Sequence, residues 1–280
     1  MPTAPGHLIC NMRSRHDDLN PNAHRLGRSK AELASVRYNW NRLAKVDPLW
    51  AVLTRSDKQG GRWQIEEFLA TGVHLVAEIR RRFESLGVRF GGERALDFGC
   101  GVGRVTRPLK QSFRVVVGVD IAEEMIRVAQ RISSDPGVRY LHSPSGDLKP
   151  VDGEVFDLVM SYITLQHVPP QSARRLIGKL SAAVAPHGLL FLQIPTESVS
   201  DPELLYGQSS LKGALRSLLP AQLLERYREL RTGAPRMDMF GLARSEVVGL
   251  LERSGLHLLS ADENDDTEGH VPGLRYYATR

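Results

Sequence analysis

Hydrophobic and polar positions follow three regimes along the chain. Residues 1 to about 30 are polar, contain Pro and Gly and show no period, which predicts a mobile tail. From Ala31 to Gly61 the spacing is helical, with Trp40, Leu43, Leu49, Trp50 and Leu53 as apolar anchors. Residues 64–87 form a clearer helix. Phe68, Val76, Ile79, Phe83 and Leu86 share one face, and Gly87 is a good stop. Residues 31–90 are therefore expected to form a helical cap, with Arg80, Arg81 and Arg82 on its solvated side.

From about residue 91 the rhythm changes. Short apolar runs alternate with amphipathic segments: RALDF, RVVVGVD, VRYLH, FDLVMSYI, GLLFLQIP, LHLLSA and LRYYATR read as strands. A helix from about Gly103, then IAEEMIRVAQRI, PQSARRLIGKLSAAV and RSEVVGLLERSG read as helices. This alternation predicts an α/β domain over 91–280 with a mostly parallel sheet. Residues 197–242 break it with helical material and the loop TGAPRMDMFG, and are expected to be an insertion.

Composition narrows the class. The chain has 280 residues, 41% hydrophobic and 25% charged, which suits a globular protein with a full core. No run of 18 apolar residues exists, and the N-terminus lacks the apolar centre of a signal peptide. Two cysteines, Cys10 and Cys100, lie in unrelated contexts, so free thiols and a reducing, cytoplasmic setting are expected. The net charge of +5 is spread thinly, and no basic block with interleaved aromatics argues for nucleic acid.

Candidate chemistry concentrates in ALDFGCGVGRVTRPL. The first strand runs into Asp97, then Gly99, Gly101 and Gly103 alternate. Ligands of open parallel sheets bind beyond the carboxyl ends of the strands. Glycine there lets a ligand touch the backbone, and a following helix would offer unpaired N–H groups. The spacing is neither the dinucleotide pattern G-x-G-x-x-G nor a P-loop. A second acid, Asp120, ends the second strand 21 residues after Gly99, where a carboxylate can take both hydroxyls of a ribose or can cap the next helix.

The order Asp97-x-Gly99-x-Gly101-x-Gly103, then Asp120, then Gly146-Asp147-Leu148 before FDLV resembles class I S-adenosylmethionine-dependent methyltransferases over roughly Glu93 to Arg280. The resemblance implies a Rossmann-like, doubly wound sheet of seven strands, the last antiparallel. It also implies S-adenosylmethionine as cofactor. Asp97, Gly99, Cys100, Gly101 and Gly103 would meet its methionine end, and Asp120 its ribose. Ile121, Met125, Asp147 and Leu148 would meet its adenine. The Cys100 thiol itself is read as buried filler.

In this family the end of the fourth strand borders the methyl group. Here it reads Ser161, Tyr162, Ile163, Thr164, Leu165, Gln166, His167. Ser161 would touch the cofactor, Tyr162 and His167 are the catalytic candidates, and His167 has an ordinary pKa suited to a base at neutral pH. The alternative for His167 is packing or capping of the following helix. The sequence lacks the Asn/Asp-Pro-Pro-Tyr/Phe motif of amide and adenine methylation, and no acid cluster with metal-ligand spacing follows the strand. The expected acceptor is a small molecule methylated at oxygen or nitrogen. RNA- or protein-directed transfer, a non-catalytic cofactor-binding module and an NAD-dependent oxidoreductase are the rivals.

In relatives, an insertion after strand five covers the acceptor. The one here carries Arg216, Arg226, Arg228, Arg231 and Arg236, which fit either an anionic acceptor or a solvated helix face. Tyr38 and Trp63 either close over the cofactor or pack within the cap.

Overall fold

A computed structural model describes residues 21–196, 237–264 and 272–280. Within them lies one seven-stranded sheet in the order β3-β2-β1-β4-β5-β7-β6. Its strands are β1 (Gly92–Phe98), β2 (Phe113–Asp120), β3 (Val138–His142), β4 (Phe156–Ser161), β5 (Val184–Pro195), β6 (His257–Asn264) and β7 (Gly273–Thr279). β1 to β5 pair in parallel, and β7 runs antiparallel to both β5 and β6. Strand order reverses between β1 and β4, so their carboxyl ends diverge and open a crevice.

The central strands are apolar on both faces because both are covered. On one side, α3 (Ile65–Ser85) lays Leu75, Val76, Ile79 and Phe83 against Ala95, Val116, Leu158 and Phe191. On the other, α6 (Pro170–Ala182) and α7 (Arg244–Arg253) bring Leu176, Ile177, Leu180, Val247 and Leu251 against Leu96, Val117, Val159 and Leu190. The outer helix α5 (Glu123–Ile132) follows β2.

The cap starts earlier than the pattern suggests. Helix α1 spans Pro21–Val46, so its first ten residues belong to a helix rather than a tail; residues 1–20 lie outside the described part. Proline suits a first helical position, where no N–H is needed. Helix α2 (Pro48–Val52) follows, and Asp47 holds the junction by accepting from the N–H groups of Trp50, Gly60 and Gly61. The cap core of Leu43, Ala51, Trp63 and Phe68 packs on Val102, Ala122 and Met125 of the sheet domain. Trp63 is therefore cap core, with its Nε1–H on the Leu53 carbonyl, and Tyr38 stands 62% exposed. Nor is the arginine run wholly solvated: Arg82 makes two hydrogen bonds to Asp262 and one to Ser260, tying α3 to β6.

The expected helix from Gly103 is a chain of turns followed by the four-residue α4 (Thr106–Leu109). Gly103 has φ 83, outside any helix, and a Cβ on it would stand 2.2 Å from the Tyr140 hydroxyl oxygen. Gly103→Ala should cost about 2–4 kcal/mol from left-handed strain plus overlap. Adding Tyr140→Phe should recover part of that cost. Thermal melting of the three variants checks this, and an unchanged melting temperature for Gly103→Ala would refute it. Residues 197–236 of the expected insertion lie outside the described part. Residues 237–242 return beside β4 and β5, where Leu242 N–H bonds the Pro195 carbonyl.

Candidate functional site

The crevice holds an open pocket, about 860 Å³ with its mouth included. Its walls come from the ends of β1, β2 and β4, from the loop after β3 and from the cap. Of the residues singled out in the sequence, Asp97, Gly99, Cys100, Gly101, Asp120, Ile121, Met125, Tyr162 and His167 line it.

The glycine turn is built differently from the expectation. The N–H groups of Gly99 and Cys100 donate to the Val119 carbonyl, Gly101 N–H to Asp120 Oδ2, and Gly103 N–H to the Cys100 carbonyl. The turn thus spends the N–H groups of Gly99, Cys100, Gly101 and Gly103 internally, and only the four-residue α4 follows it. Close approach of side chains explains why glycine is required. A Cβ on Gly99, at φ 78, would lie 2.0 Å from the Thr164 methyl carbon, while Val52 of the cap presses on Gly101. Gly103 backs onto Tyr140 and does not line the pocket.

Asp120 sits at the tip of β2. Its Oδ1 accepts from Ala122 N–H at 2.7 Å and its Oδ2 from Gly101 N–H at 2.9 Å. Burial raises its carboxyl above the ordinary value, against those two N–H groups. Each oxygen keeps a second lone pair. Asp97 is 3% exposed and accepts from the Thr106 hydroxyl at 2.6 Å. Burial lifts its pKa to about 6, against the Thr106 hydroxyl and the Arg104 charge. The Cys100 thiol is pushed well above its ordinary range by burial, with the charges of Asp120 and Asp97 adding to the shift, so it is inert.

Besides Gly103, three more residues expected at the cofactor stand elsewhere. Asp147 turns into its own loop, accepting from the Ser145 hydroxyl and Lys149 N–H. Partial burial works against its ionisation, but those donors and Lys179 hold its carboxyl below the ordinary value. Ser143 and Gly146 line the pocket in its place. Leu148 belongs to the core under α6. Ser161 is fully buried, its hydroxyl donating to the Phe98 carbonyl at 3.0 Å, which pins β4 to β1.

β4 ends at Ser161, so Tyr162, Ile163 and Thr164 form a turn rather than more strand. The Tyr162 ring lies over Phe191, with the guanidiniums of Arg104 and Arg275 at 5.4 and 6.0 Å from its centre. His167 is 9% exposed. Its Nδ1 lies 2.8 Å from the Asp238 carbonyl, its Nε2 is 3.2 Å from Gln166 Nε2, and Trp40 meets it edge-on. A carbonyl only accepts, so Nδ1 carries the proton and Nε2 accepts from the amide. Burial pushes the pKa to about 4, against the Asp238 carbonyl. The expected near-neutral base is thus a neutral, pinned imidazole. Histidine NMR should show no His167 titration between pH 5.5 and 8.5; an inflection near 6.5 would refute this.

Sequence reasoning missed the cap's share of the wall: Leu33, Val36, Trp40 and Val52. The spacing 33/36/40 is a helical stripe that could have been read as a second apolar face.

Known proteins agree with this architecture. Residues 96–192 match the methyltransferase domain family. In strand order and crevice, that segment resembles the class I S-adenosylmethionine-dependent methyltransferase domains. A ubiquinone biosynthesis O-methyltransferase from Coxiella burnetii is 28% identical over 120 residues, 42% of this chain and 50% of the relative. One from Xanthomonas axonopodis pv. citri is 29% identical over 133 residues, 47% and 55%. The chain spans about half the length of these curated relatives. Among solved structures, magnesium protoporphyrin IX methyltransferase from Synechocystis PCC 6803, with bound SAH, aligns at TM-score 0.55 and 19% identity over 88% of this chain and 98% of that one. A cyclopropane synthase from Mycobacterium tuberculosis aligns at 0.53 and 15%, over 89% and 98%. These structural likenesses show the fold.

Proposed function

We propose that this chain is an S-adenosylmethionine-dependent methyltransferase acting at an oxygen or nitrogen of a small-molecule acceptor. The observation that carries the reading is Asp120. It lines the pocket at the β2 tip with one backbone donor on each oxygen, so one lone pair per oxygen remains for the two hydroxyls of a ribose. Ile121 and Met125 beside it offer an apolar wall to an adenine. The Asp97 carboxylate fits the ammonium of a methionine moiety, and the Arg104 guanidinium on the same wall fits its carboxylate.

S-adenosylmethionine supplies a methyl on a sulfonium, which leaves as a neutral thioether. The chain's own residues then have to orient the acceptor and exclude water, and orientation alone supplies several kcal/mol. Leu33, Val36, Trp40 and Val52 of the cap close the pocket with apolar surface. Trp40 and His167 form an uncharged wall, in which both ring nitrogens of His167 are committed to Asp238 and Gln166, so the imidazole shapes the pocket rather than removing a proton. An anionic acceptor group would be met by the arginines of 197–236, outside the described residues. A reducing, cytoplasmic setting fits the buried free thiol of Cys100. Among the described residues no helix is long and apolar enough to cross a membrane.

Calorimetric titration with S-adenosylmethionine, its demethylated product and NAD tests the reading. Binding of the first two is expected; preference for NAD, or no binding of either, would refute it.

A further inference from the structure

Ile163 lines the pocket at φ 49. That left-handed region is a genuine outlier for a β-branched side chain, and such strain persists only where the surroundings enforce it. The enforcing contact comes from β5: Ile163 N–H donates to Gln193 Oε1 at 3.2 Å. Gln193 is fully buried on the same sheet face as Phe191, opposite Arg275 on β7, and does not line the pocket. Its Nε2 has no hydrogen-bond partner among the described residues. A buried amide nitrogen without a partner is destabilising, and a methionine beside Phe191 would avoid that loss. Stability alone therefore does not account for a glutamine here.

What the glutamine holds is the turn at the reacting end. Next to Ile163, the Thr164 hydroxyl reaches the carbonyls of Gly99 and Tyr162 at 3.2 and 3.0 Å. Ser161 anchors the other side of the turn on Phe98. Gln193 is the anchor from β5, and it acts on the one residue of the turn that would relax if released.

We infer that Gln193 is a positioning residue, which holds Ile163 left-handed and thereby fixes where Tyr162 and Thr164 stand against the transferable methyl. This rests on the methyltransferase reading above. The test is a double-variant cycle read by calorimetry with S-adenosylmethionine and its demethylated product, which differ only in the methyl and charge at sulfur. Gln193→Met should change the ratio of the two dissociation constants by about fivefold or more. A purely structural lesion would weaken both ligands together. On top of Ile163→Gly, the same substitution should leave the ratio as in Ile163→Gly alone, because glycine adopts this conformation without an anchor. An unchanged ratio in Gln193→Met, or an equal shift in both backgrounds, overturns the inference. Should Gln193→Met not fold, Gln193→Asn, whose amide falls one carbon short of Ile163, takes its place. A wild-type protein that binds neither ligand overturns the methyltransferase reading itself, and is recognised by that failure.

Discussion

Asp120→Ala should weaken S-adenosylmethionine binding by at least ~100-fold. Hydrogen bonds to a charged group contribute about 1.5–3 kcal/mol each, and every 1.4 kcal/mol is tenfold. The carboxylate stands to lose two ribose hydroxyls. It also loses its hold on the turn, since Gly101 and Ala122 N–H both bond to it. Asp120→Asn is the milder comparison: its one carbonyl oxygen can still accept from Gly101 or Ala122 N–H, while its amide nitrogen cannot accept from the other, so it loses the charge and one of the two turn contacts. Titration calorimetry of both variants against wild type measures the effect. A dissociation constant for Asp120→Ala within a fewfold of wild type would mean that the ribose lies elsewhere, and the reading of the site would fall.

The second large effect is a trade between stability and binding at Asp97. Its carboxyl sits at about 6 in the folded protein because burial strips it of water. The ordinary carboxyl value is about 4, so the ligand-free folded state holds this proton more tightly than the unfolded chain does. Its contribution to stability is therefore fully present below pH 4 and is lost as pH rises to about 6. The loss amounts to about 3 kcal/mol for a shift of roughly two units. Ligand-free Asp97→Asn should melt several degrees higher than wild type at pH 7.5, since the amide can still accept from Thr106 and no buried charge forms.

Cofactor binding should run the other way. An ammonium partner wants the ionised carboxylate, so affinity for S-adenosylmethionine should fall as pH drops below 6, by up to about tenfold per unit. Asp97→Asn should bind weakly at every pH. A variant that melts lower at pH 7.5, or a wild-type affinity flat from pH 5 to 8, would show that Asp97 neither carries this cost nor meets a cation.

The order of strands and helices was legible because each element carries its own period. FRVVVGVD and FDLVMS are apolar on both faces and must lie in a covered sheet; α3 repeats Phe68, Val76, Ile79 and Phe83 along one stripe. Asp97 and Asp120 were legible as well, since a carboxylate at a strand's end has one crevice to face. Side-chain contacts between distant segments were not. Asp147 found its donors at Ser145 and Lys149, so a spacing that fits an adenine contact ended as a closed loop. Whether His167 is a base depended on Asp238 and Trp40, 71 and 127 residues away along the chain, which fix its tautomer and dehydrate it. The three glycines announced a tight turn, but that Thr164, Val52 and Tyr140 fill the space beside them required the packed structure. Local periodicity and strand polarity are properties of short stretches, so the sequence by itself determined the α/β sheet and the position of its crevice. Dehydration, tautomer and backbone strain at Ile163 arise only when remote side chains close on one another, and those were decided by the tertiary structure.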